Sequence, residues 1–135
     1  MPNAAVVFHS IEHLNAALTA AQETSIELTL LTAPAAAAYL GAGWFREAVA
    51  AARAAHPDVR ATMLLDCGER PGDALAAFRA GVPGVIFTGR ADVADKLAAL
   101  AQAHGTIFRR DRPAAHDLLD AADPLESCRR WLSRR

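Results

Sequence analysis

The chain has 135 residues, 53% of them hydrophobic and 21% charged, with a net charge of -1. That is the composition of one globular domain with its own core, which excludes a disordered chain and gives no reason to expect nucleic acid or an acidic membrane as partner. Two cysteines, Cys67 and Cys128, exclude a disulfide framework, and no apolar run approaches the ~20 residues of a membrane span. Met1 to Ser10 has no basic region followed by a long apolar core, so a cytoplasmic protein is expected. Thirteen arginines against one lysine, with many alanines, fit a bacterial gene of high GC content and carry no functional information.

Short apolar runs alternate with helical patterns along the chain. Ala4 to His9 reads as a first strand, and Ser10 is placed to cap a helix carrying Leu14 and Leu18. Ser25 to Thr32 is a second strand. Pro34 to Tyr39 opens a helical turn broken at Gly41-Ala42-Gly43, and Trp44 to His56 makes a longer helix stopped by Pro57. Arg60 to Asp66 is the third strand, and Asp73 to Ala80 a helix closed by Gly81. Val82 to Thr88 is the fourth strand, Ala91 to His104 the next helix, closed by Gly105, and Thr106 to Arg109 a fifth strand. Beyond Pro113 the pattern is helical, and Asp123-Pro124-Leu125-Glu126 has the form of a capping box with proline at the first helical position.

This alternation predicts one α/β domain over 1–135, with 114–135 as a C-terminal helical extension. The expected architecture is three-layered, with five parallel strands and helices on both faces. Glu27 and Thr29 on the second strand and the arginines of the fifth make those two strands polar. Polar edges there favour the flavodoxin-like order 2-1-3-4-5. The rival is half of a (β/α)8 barrel in the order 1-2-3-4-5, which would expose the first strand instead.

The third strand ends in Leu65-Asp66-Cys67-Gly68. It is followed by Ala76-Ala77-Phe78-Arg79-Ala80-Gly81, by Val85-Ile86-Phe87-Thr88-Gly89, and by Ala101-Gln102-Ala103-His104-Gly105. Ala20-Ala21-Gln22-Glu23-Thr24 and Pro34-Ala35-Ala36-Ala37-Ala38-Tyr39 precede it. In this order and spacing, about Asn15 to Arg110 resembles the first half of class II fructose-bisphosphate aldolases and their tagatose-bisphosphate relatives. The resemblance implies that Asp66 matches an acid that gives and takes a proton during carbon–carbon cleavage. It puts Cys67 where the family has a histidine ligand of its catalytic metal, and Arg109 and Arg110 near where it has a glutamate. The family's other metal ligands and phosphate loops fall in a second half that has no counterpart here. No metal and no cofactor are therefore expected.

In a parallel sheet, ligands gather at the carboxyl ends of the strands. Asp66 and Cys67 are the candidate catalytic residues, with Arg70 near enough in sequence to favour a thiolate and Asp66 and Glu69 opposing it. Thr88, Gly89 and Arg90 open a helix where backbone N–H groups favour an anion, and Arg109 ends the neighbouring strand, so these four are the candidate ligand-binding residues. His9 would pair with Cys67 as base to nucleophile if the two met. His13, His56, His104 and His116 show no metal-ligand spacing, and Arg129, Arg130, Arg134 and Arg135 form a basic tail.

The leading expectation is a non-catalytic aldolase-like module that binds a small phosphorylated metabolite at the strand ends. One alternative is an enzyme using Asp66 and Cys67, lyase-like or cysteine-dependent. The other is an oligomerising interaction protein, because open sheet edges invite pairing and the mean hydropathy of +0.12 leaves apolar surface to cover. A homodimer is expected, with no membrane or nucleic-acid partner.

Overall fold

Six parallel strands form one sheet in the computed structural model, which describes residues 4–134. In chain order the elements are β1 (Ala4–Val7), α1 (Ile11–Thr24), β2 (Leu28–Leu31), α2 (Ala37–Leu40), α3 (Ala42–Ala55) and β3 (Ala61–Asp66). Then come α4 (Pro71–Ala80), β4 (Gly84–Ile86), α5 (Ala91–His104), β5 (Ile107–Arg109), β6 (His116–Asp117) and α6 (Pro124–Leu132). The expected boundaries hold to within a few residues because their punctuation is local. Ser10 accepts a hydrogen bond from the His13 N–H at the start of α1. Gly81 and Gly105 end α4 and α5 at φ +77° and +70°, a left-handed conformation that an L side chain resists.

The strand order is β5-β4-β3-β2-β1-β6, and every pairing is parallel. This corrects the flavodoxin-like expectation and follows the sequential order of the half-barrel rival. It also corrects the two-sided helix layer. From β1 to β5 the chain steps always in one direction, so right-handed crossovers place each helix on the same face. In the resulting row α6 packs on α1, α1 on α3, α3 on α4 and α4 on α5. The polarity of the second strand does not mark an edge. Thr29 is only 7% exposed within β2, between β1 and β3, while Glu27 precedes the strand and is exposed.

Strand alternation divides the core in two. Val6, Leu28, Leu30, Met63, Leu65 and Val85 join the helices in the main core. Ala5, Val7, Leu31, Leu64 and Ile86 point to the helix-free face, where Ala115 packs on them. Residues 110–115 therefore strap that face, running from β5 at one edge to β6 at the other. The seven steps from Arg109 to His116 reach ~23–25 Å, and the five strand gaps of a flat sheet span ~24 Å. A flat sheet would leave the strap no slack.

The expected helical extension over 114–135 begins instead with β6, which pairs with β1 through Val6–His116 and Val7–Asp117. Its helix is real: Asp123 accepts from the Glu126 N–H, and Cys128 and Leu132 are buried. Arg129 grips Glu23 of α1 through two hydrogen bonds of 2.9 and 2.8 Å. No helix among the described residues is long and apolar enough to cross a membrane.

Candidate functional site

Asp66 ends β3 and is 2% exposed, yet its carboxylate is fully engaged. Oδ1 accepts from the backbone N–H groups of Ala35 at 2.9 Å and Gly68 at 2.8 Å. Oδ2 accepts from Arg112 Nη1 at 2.8 Å. The same Arg112 nitrogen donates to the Thr32 carbonyl at 2.8 Å, and the Asp66 N–H donates to Thr32 Oγ1 at 2.9 Å. One acid thus fastens the turn after β2, its own turn and the strap. The two turns are pressed together: Gly68 has φ +56°, and a Cβ there would lie 3.0 Å from the Ala35 Cβ. Ala35 itself adopts φ 56°, a conformation uncommon for a residue with a Cβ, which its N–H bond to Asp66 helps to hold.

Cys67 points the other way, into the main core. Its thiol is 3.7 Å from the Leu65 carbonyl. Burial pushes the thiol up to about 12, and the charges of Asp73 and Asp66 push in the same direction. This is the opposite of what a nucleophile requires. Cys128, also buried, is raised to about 11. Near pH 8 such a thiol stays protonated and unreactive. Iodoacetamide is therefore expected to modify neither cysteine in the native protein on the timescale that suffices once urea unfolds it. Rapid native labelling at Cys67, located by mass spectrometry, would contradict this placement.

The second candidate set sits at the ends of β4 and β5, which the Phe87 N–H to Arg109 carbonyl bond of 2.9 Å holds side by side. Thr88 is exposed, and its N–H donates to the Gly68 carbonyl at 2.9 Å. Gly89 lies against the Phe87 ring so closely that a Cβ would stand 2.5 Å from Cζ. Arg90 forks onto Asp92 at 3.1 and 2.7 Å, and Arg110 onto Asp95 at 2.7 Å. Arg109 makes no ion pair among the described residues.

A third cluster was not foreseen. His9, just past β1, does not meet Cys67; its Nε2 lies 2.6 Å from Asp117 Oδ1 on β6. Asp117 Oδ1 also accepts from the Leu119 N–H at 2.9 Å. Burial alone would raise the Asp117 carboxyl. The hydrogen bonds from His9 and Leu119, with the charges of His9 and Arg112, outweigh it and hold the group below its ordinary value. His13 Nδ1 accepts from the His9 N–H at 3.1 Å, and the two imidazoles meet edge-on at 5.8 Å. Burial, then the neighbouring His9, lowers the His13 pKa. The carboxyl end of the sheet therefore carries Asp66–Arg112 and Asp117–His9–His13. Neither Arg112 nor Asp117 stands in a motif that sequence reading could have picked out.

These residues do not fit a catalytic zinc, which needs about three protein ligands. No three His, Cys, Asp or Glu side chains converge among the described residues, Cys67 faces the core, and Asp66 is occupied by Arg112. A cleft of about 460 Å³ lies at the opposite end of the sheet, lined by Ser25, Glu27, Asp58 and Arg60 among others. It shares no residue with the strand-end clusters.

No family model matches the chain. It is 31% identical over 81 residues to the plasmid-borne fructose-bisphosphate aldolase of Cupriavidus necator, a match covering 60% of this chain and 24% of the relative. The likeness is to part of a class II fructose-bisphosphate aldolase. A solved structure of a putative fructose-1,6-biphosphate aldolase from Coccidioides immitis shares the fold with a TM-score of 0.65 at 21% identity. That superposition covers 78% of this aldolase-like chain and 39% of the solved one. The chain thus spans about a quarter and about two fifths of these two relatives.

Proposed function

We propose that this aldolase-like chain is a non-catalytic module that holds a small phosphate-bearing ligand at the carboxyl ends of its strands. The observation that carries the reading is the state of Asp66. In the aldolases the matching acid moves a proton, whereas here two backbone hydrogen bonds and the Arg112 guanidinium consume the carboxylate. The neighbouring position, a metal ligand in that family, is a core thiol. Beside the Asp117–His9–His13 cluster, this end of the sheet carries arginines suited to an anion. Arg109 has no acidic partner among the described residues. Among the described residues Arg90 is tied to the exposed Asp92, a pairing worth little against a phosphate dianion. Thr88 and the Gly89 backbone complete the wall.

The test is thermal unfolding with inorganic phosphate, dihydroxyacetone phosphate and fructose 1,6-bisphosphate, each with and without Zn²⁺. A sugar phosphate at a hundred times its Kd adds about 2.7 kcal/mol, a rise of several degrees in Tm. We expect that rise without metal, its loss in Arg90→Ala with Arg109→Ala, and no cleavage of the bisphosphate. Stabilisation that survives both substitutions, or cleavage of fructose 1,6-bisphosphate, would overturn the reading.

A further inference from the structure

A cleft opens between β6 and the end of α6. Ser127, Arg130, Trp131 and Arg134 recur at helical spacing and, with His116 of β6, line a cleft of about 320 Å³. That volume falls at the lower end of small-molecule sites. Its floor is fixed: the His116 imidazole and the Trp131 indole are stacked 5.5 Å apart at 16°. His116 Nε2 lies 2.8 Å from Ser127 Oγ. In the tautomer with the proton on Nε2, the serine hydroxyl keeps its own proton for another acceptor. On the flank of the same helix, Arg129 is held by Glu23 and lies near Glu126. Arg130 and Arg134 make no ion pair among the described residues. The arrangement is two guanidinium forks four residues apart, a hydroxyl donor one turn before them and a rigid aromatic wall.

We propose that this cleft between β6 and α6 is a second anion site, separate from the strand ends, which takes a phosphomonoester group on Arg130, Arg134 and Ser127. Guanidinium forks match phosphate oxygens in pairs, two of them balance a dianion, and the hydroxyl supplies a further donor. The aromatic wall offers a face on which the organic part of the ester can lie.

Trp131 reports on the site directly. In a Trp44→Phe background it is the only indole, so its fluorescence is followed while inorganic phosphate, and then phenyl phosphate, is titrated at constant ionic strength made up with chloride. A saturable change is expected for both, tighter for the phenyl ester. Arg130→Gln with Arg134→Gln should weaken it at least tenfold, and Ser127→Ala severalfold. Arg90→Ala with Arg109→Ala should leave it unchanged, which separates this site from the one at the strand ends. If the double glutamine variant does not fold, Arg130→Lys with Arg134→Lys keeps the charges while removing the forks and should still bind more weakly than the parent. A response that chloride reproduces, that does not saturate, or that is indifferent to the arginine substitutions would overturn the proposal.

Discussion

Asp66→Ala is expected to lose about 3–5 kcal/mol of stability, the usual cost of removing one partner from a buried charge pair. The substitution strands Arg112, whose side chain is 24% exposed, and leaves the Ala35 and Gly68 N–H groups without their acceptor. The left-handed turn at Ala35 then loses the bond that helps to hold it, and the strap loses its hold on the sheet. In urea unfolding the midpoint should fall by that loss divided by the m-value, with Tm lower by roughly 10–20 °C. Asp66→Asn keeps an oxygen for the two backbone donors and should cost less. Arg112→Ala combined with Asp66→Ala should cost less than the sum of the two, because they share one interaction. A loss under about 1 kcal/mol for Asp66→Ala would mean that the acid is not a clasp. It would reopen the question of its chemistry.

Phe45→Ala is expected to cost about 3–5 kcal/mol as well, for a different reason. Phe45 on α3 is fully buried, and its ring stacks on Phe8 at 6.2 Å and 29°. Phe8 immediately precedes His9, so the pair anchors the segment that delivers His9 to Asp117. Removing the ring takes apolar surface out of the main core and leaves a void against Phe8 that the sheet cannot fill by collapsing. Urea unfolding should show a lower midpoint at an unchanged m-value. A cost below about 1.5 kcal/mol would mean that the helix layer closes over the gap, so that it does not hold β1 firmly.

The elements were legible where local chemistry decides them. Ser10, Gly81, Gly105 and Asp123-Pro124 mark helix ends by the conformations and donors those residues supply, and each does so in the structure. The order of the strands was not legible. An alternating β–α pattern satisfies both 2-1-3-4-5 and 1-2-3-4-5; of the polar residues that favour the first order, Thr29 is covered within β2, Glu27 precedes the strand, and only the fifth strand is at an edge. The two residues His116 and Asp117 are too few and too polar to announce a strand. The strap has no periodicity, so Arg112 carried no signal that it would meet Asp66 46 residues away. Asp66 and Cys67 were correctly singled out as the end of a buried strand. The pleat turns Cys67 into the core, and partners that no local pattern announces, Ala35, Gly68 and Arg112, make Asp66 a clasp.

The strap and β6 also bear on the order of events during synthesis. His9 meets Asp117 across 108 residues, and Glu23 meets Arg129 across 106. β1 and α1 are therefore completed by segments made about a hundred residues later. Until residues 116–134 emerge, β1 offers a bare parallel edge and α1 an uncovered flank, both open to a neighbouring nascent chain. Closing such long loops slows folding. The interval between the synthesis of α1 and that of β6 and α6 is thus when these elements most need shielding, and the β6–α6 segment is what brings it to a close.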